Sequence, residues 1–141
     1  MKLGSIALAA AMALAPAAGM AATAPNRPAA PVASPAASQF DQGVAADNRG
    51  DYATAYRLWR PLADQGHASA QYNLGFMYDN GQGVAQDYVQ AHKWLNLGAV
   101  SGDATALKNR DIVAAKMTPA QIAEAQRLAS AWRATPSPGG R

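Results

Sequence analysis

The chain of 141 residues contains no cysteine. Disulfides, thiolate metal sites and a lipid-modified N-terminal cysteine are therefore excluded, and the fold must hold by packing alone. Histidine is nearly as scarce: His67 and His92 stand 25 residues apart, with no H-x-x-x-H spacing between or around them. Isolated histidines of this kind read as surface or helix-end residues rather than metal ligands. No serine lies in a G-x-S-x-G turn. Asp79-Asn80-Gly81 lacks the alternating acids and closing glutamate of a calcium loop, and Glu124 has no carboxylate partner near it in its helix. No catalytic group, cofactor or metal is expected on these grounds.

Long apolar runs and clustered charge are missing as well. The apolar stretch Ile6 to Leu14 is shorter than the roughly 20 residues that a bilayer span requires. Instead, Lys2, this stretch and the small residues ending at Ala22-Thr23-Ala24 have the parts of a secretory signal peptide over residues 1–24. Cleavage after Ala21, Ala22 or Ala24 and an uncleaved anchor are the options left open, and no twin arginine precedes the stretch. Without residues 1–24, which hold one cation and no acid, 11 basic residues face nine acidic ones, a net charge of +2. The basic residues are scattered along the chain and form no stripe, so no nucleic-acid partner is expected.

Two flanking segments are rich in proline. Pro25, Pro28, Pro31 and Pro35 fall within residues 25–38, which read as an extended, disordered tether. Residues 134–141 carry Pro136, Pro138, Gly139 and Gly140 and no periodic apolar residue, and read as a frayed tail. The folded domain is expected over residues 39–133.

Within that domain the sequence matches itself at an offset of 36 residues. Asp51-Tyr52-x-x-Ala55 recurs as Asp87-Tyr88-x-x-Ala91, and Ala63-x-x-Gly66-x-Ala68-x-Ala70 recurs as Ala99-x-x-Gly102-x-Ala104-x-Ala106. A period of this size marks an array whose units bury their apolar faces by stacking. The punctuation is helical throughout. Asp51, Asp87 and Thr118 stand where helix N-caps belong, Pro119 follows at a first helical position, and Gly50, Gly66 and Gly102 close helices. The third helix is expected from about Ala68 to Tyr78, with Ala70, Leu74, Gly75 and Tyr78 inward, and the fifth from about Ala104 to Met117. Pro61 falls inside the second. Trp59, Trp94 and Trp132, one in the second helix of each pair, read as core. The expected fold is all-α: a short right-handed α/α superhelix, or solenoid, of about three antiparallel helix pairs.

Over one whole unit the residues resemble the Sel-one-like repeat (SLR). Its pattern is carried by Ala70, Leu74-Gly75, Met77-Tyr78, Gly81-x-Gly83-Val84, Asp87, Ala91, Trp94, Ala99 and Gly102. The flanking units match in part. Gly43, Ala46, Gly50 and Ala55 are nearer to tetratricopeptide spacing, and Arg110-Asp111 replaces the Leu-Gly pair 36 residues on, as suits a terminal cap whose outer face meets water. Met117-Thr118-Pro119-Ala120-Gln121 also resembles the C-terminal caps of bacterial members. The resemblance implies a superhelix that mediates protein interactions, with a concave groove lined by the first helix of each pair.

With Leu74, Gly75 and Tyr78 inward, Ser69, Tyr72, Asn73, Phe76 and Asn80 are left to face that groove. Their equivalents include Thr105, Lys108, Asn109, Ile112 and Lys116. Such a lining suits a peptide of some acidic character. The alternative is that Tyr72 and Phe76, four apart on one helix, pack between helices. The function expected is that of an exported, monomeric, non-catalytic module, periplasmic or secreted, binding a protein or peptide in the cell envelope. Two rivals are a hydrolase of cell-wall or β-lactam substrates, as suggested for cysteine-rich relatives, and a purely structural envelope protein. The first is weakened by the missing cysteines.

Overall fold

A computed structural model describes residues 34–136, and all of the regular structure in them is helical. The helices are α1 (Pro35–Asn48), α2 (Tyr52–Asp64), α3 (Ala68–Asn80), α4 (Tyr88–Gly98), α5 (Ala104–Ala114) and α6 (Pro119–Ala134), with a short 3-10 turn at Ala99–Ser101. The expected signal peptide, residues 25–33 of the expected tether and residues 137–141 of the expected tail lie outside the described residues. None of the described helices is long and apolar enough to cross a membrane.

The chain punctuates itself as its caps dictate. The side chains of Asp51, Asp87 and Thr118 accept hydrogen bonds from the backbone N–H groups of Thr54, Gln90 and Gln121, which would otherwise go unpaired at the helix starts. The Thr118 N–H in turn donates to Gln121 Oε1, completing a capping box. His67 caps α3 in the same way, its Nδ1 accepting from Ala70 N at 3.2 Å. One boundary needs correction. Residues 35–38, expected in the tether, form the first turn of α1, where Ser34 Oγ accepts from Ala37 N. Pro35 starts that helix because its fixed φ suits the first position and no N–H is needed there. At the other end Ala134, expected in the tail, closes α6. The fifth helix stops at Ala114, short of Met117, and turns tightly through Lys116 N to Val113 O and Met117 N to Ala114 O.

Packing follows the chain as a helical-repeat solenoid does: α1 lies on α2, α2 on α3, and α3 on α4. In the first two pairs a glycine lets the partner helix in. A Cβ on Gly43 would collide with the Trp59 indole, and one on Gly75 would stand 2.6 Å from Leu95 Cγ. Trp59 and Leu95 are 36 residues apart and the glycines 32, because the loop between α1 and α2 is four residues shorter than the one between α3 and α4. The last pair is opened out: α5 and α6 each rest chiefly on α4 rather than on one another. Three neighbours thus surround α4, and it buries Ala91, His92, Trp94, Leu95, Leu97 and Gly98, far more than one stripe.

The main core joins Trp59, Leu62, Leu74, Met77, Trp94 and Leu97, with Phe40, Val44 and Trp132 packed against it. Trp94 is completely buried and meets Trp132 edge-on at 6.4 Å between ring centroids. A smaller cluster of Ala91, Leu95 and Val113 lies under Tyr72, Tyr78 and Met117. His92 overturns an expectation. It is 3% exposed rather than at the surface, because α5 covers that side of α4.

Candidate binding face

The sequence assigns its candidate residues to α3 and α5, and two side-chain bridges tie these helices together. Asn109 Nδ2 donates to the Tyr72 hydroxyl at 2.8 Å. Seven residues further on from each partner, in the turn that follows α5, Lys116 Nζ donates to Asp79 Oδ1 of α3 at 2.9 Å, an ion pair whose hydrogen bond raises the lysine pKa. Both bridges join residues 37 apart. Their agreement in offset means that α5 follows α3 as the next unit of the array.

Phe76 and Ile112 stand between these bridges on their respective helices, 36 residues apart. They are 48% and 47% exposed. Val100 and Leu107 are exposed too, but Phe76 and Ile112 are the pair of exposed large apolar side chains that stand 36 residues apart. Asn80 turns back and donates to the Phe76 carbonyl at 2.9 Å, closing the end of α3. Ser69, Thr105 and Lys108 are exposed and Asn73 is half-buried. A hollow of about 120 Å³ at the start of α3 is lined by Ala68, Ser69, Tyr72, Gly98 and Asp103.

Tyr72 and Phe76 were expected to share one fate, and they divide. Tyr72 is half-buried against the smaller core cluster and fastened to Asn109, so this pair is a strut between repeats rather than open groove lining. Phe76 one turn further on remains accessible. Tyr78 packs inward as expected: its hydroxyl meets that of Tyr56 at 3.0 Å, and burial together with this bond pushes its pKa up to about 12.

Among the described residues no three His, Asp or Glu side chains gather in a way that could hold a metal ion. Sequence reasoning missed an open cleft on the far side of Tyr78, lined by Arg60 and Lys93 among others. These two basic residues lie 33 apart in a scattered distribution, and no motif announces them.

The comparisons with known proteins agree with this architecture. The Sel1 repeat family matches at residues 40–67 and again at 68–103, so the two units end and begin where α2 gives way to α3. The crystal structure of a protective antigen present in uropathogenic Escherichia coli strains, displaying an SLR fold, superimposes with a TM-score of 0.67 and 32% sequence identity over 73% of this chain. The chain spans 23% of that antigen's length. No curated protein matches. The chain is an all-α helical-repeat protein, and its two matched units are Sel1 repeats. Sel1 repeats generally mediate protein–protein binding and are generally non-catalytic.

Proposed function

We propose that this chain is an exported, monomeric, non-catalytic module that holds a short segment of another protein along α3 and α5. The observation that carries this reading is the pair Phe76 and Ile112, equivalent in position, each about half exposed, and bracketed by the Tyr72–Asn109 and Asp79–Lys116 bridges. The bridges hold the spacing of the two helices before any ligand arrives, which lowers the ordering cost of binding. Two exposed anchors suit a segment that presents two apolar side chains, and Lys108 beside Asn109 favours an acidic residue next to them. Residues 1–24, with their charged start, short apolar centre and small-residue end, support export to the periplasm or beyond.

A photo-reactive phenylalanine analogue placed at position 76 tests the reading in cells of the native host. A discrete crosslinked band is expected there and not with the same analogue at Gln126, an exposed position of α6. Equal crosslinking at both positions, or none at 76, contradicts it.

A further inference from the structure

The cleft beyond Tyr78 lies between α2, the loop that precedes α4, and α4 itself, and encloses about 530 Å³. That is within the size range of pockets for small ligands. Arg60 from α2 and Lys93 from α4 both line it. One ring organises them: Lys93 Nζ lies 4.4 Å and Arg60 Cζ 5.4 Å from the centroid of Trp94. Trp94 is fully buried, so it is a fixed platform against which two cations are held.

The two cations differ in what they have already bound. Arg60 donates from Nε to both carboxylate oxygens of Asp64, at 3.2 and 3.1 Å, and from Nη1 to the Tyr56 hydroxyl at 3.0 Å. Lys93 forms no ion pair among the described residues. Burial and the positive charge of Arg60 lower its pKa, with Asp64 offsetting part of this. The acid on the cleft wall, Asp87, is engaged as the N-cap of α4, accepting from Gln90 N at 3.1 Å. A half-buried ammonium beside a second cation, facing an open cleft, has only partial compensation from Asp64, which is itself paired with Arg60.

We propose that this cleft binds a carboxylate of an acidic peptide segment, with Lys93 as the principal cation and Arg60 as the second. Charge selects the class. Asp64 neutralises much of Arg60 and Asp87 is held as a helix cap, so Lys93 is the cation on the wall left without an ion pair; a single carboxylate can pair with it, while Asp64 and Asp87 nearby disfavour a phosphate dianion. Val84 and Ala85 on the wall leave an apolar surface for the side chains that flank the acid. The cleft shares no residue with the Phe76–Ile112 face, and its failure or success leaves that reading untouched.

The test is a titration of the full chain, labelled with nitrogen-15, against the peptide acetyl-Ala-Glu-Ala-amide. The neutral peptide acetyl-Ala-Gln-Ala-amide and inorganic phosphate serve as the other two arms. The Trp94 indole N–H and the amides of Gln90 and Lys93 should shift saturably with the glutamate peptide and not with the glutamine one. Lys93→Gln should weaken the glutamate peptide at least about tenfold, and Lys93→Arg should keep most of the affinity. Raising sodium chloride from about 50 to about 500 mM should weaken binding in the unaltered protein, which keeps the test valid if Lys93→Gln unfolds. Equal shifts with the glutamine peptide, tighter binding of phosphate, binding insensitive to salt, or a folded Lys93→Gln with unchanged affinity would each overturn the proposal.

Discussion

The Asn109 side-chain amide donates to the Tyr72 hydroxyl at 2.8 Å across 37 residues of sequence, joining the first helices of two successive repeats. Array proteins draw their stability from such neighbour-to-neighbour contacts. A half-buried bond of this kind contributes about 0.5–1.5 kcal/mol. Tyr72→Phe and Asn109→Ala should each lower stability by about that amount. The double variant should fall short of their sum, because either change removes the same bond. Urea denaturation of the four proteins measures this, and strict additivity would mean that the bond contributes nothing.

Trp94 is the larger stake. It is fully buried and touches both halves of the main core, and its Nε1 finds no partner, so its contribution comes from packing and from the two cations on its ring. Trp94→Ala should cost about 3–5 kcal/mol, most of the stability of a domain this small. Thermal melting shows it, and a melting temperature like that of the parent would mean that the faces of α4 are misassigned.

Gly83 tests the loop between α3 and α4. Its φ is +70°, and a Cβ there would stand 2.6 Å from the Tyr52 carbonyl oxygen. Gly50 has a similar φ of +77° but open space around it. Gly50→Ala should cost about 1 kcal/mol for the left-handed backbone alone, while Gly83→Ala should cost about 2–3 kcal/mol because backbone must also move. Equal losses in the two variants would show that the loop does not press on α2.

His92 sets a pH dependence. It is buried with Nδ1 unpartnered, and burial, followed by the charge of Arg110, lowers its pKa below the ordinary 6.5, with Asp111 partly opposing. The unfolded chain therefore binds its proton first as pH falls. Stability from the neutral, buried ring is fully present above about pH 6.5 and declines as pH drops through the lowered folded value. Melting temperatures between about pH 8 and pH 5 should fall towards acid, and His92→Leu should flatten the part of the slope just below 6.5. A profile that the substitution leaves unchanged would assign the slope to the carboxylates.

Much of the fold was legible because this chain states its boundaries locally. Asp51, Asp87 and Thr118 cap where they stand, and Trp59 and Trp94 are buried, as their places in the second helices of the first two pairs imply. What failed to show needed information from elsewhere in the chain. Pro35 reads as tether by composition, and only Ser34 before it turns it into a helix start. His92 lies one residue outside the apolar stripe of α4, and its burial comes from α5, which no periodicity within α4 reports. Tyr72 and Phe76 are equivalent on an isolated helix and became different once Asn109 reached one of them. The basic cleft combines residues from two helices and a loop, so its charge pattern exists only after folding.

The most direct test of the binding account uses the double variant Phe76→Ala, Ile112→Ala in affinity capture from the envelope fraction, with melting temperatures measured in parallel. Both side chains are about half exposed, so the fold should lose no more than about 1 kcal/mol. The account predicts that a protein recovered with the parent chain is lost from the double variant while melting stays nearly the same. Undiminished recovery of that protein by the folded double variant would contradict it.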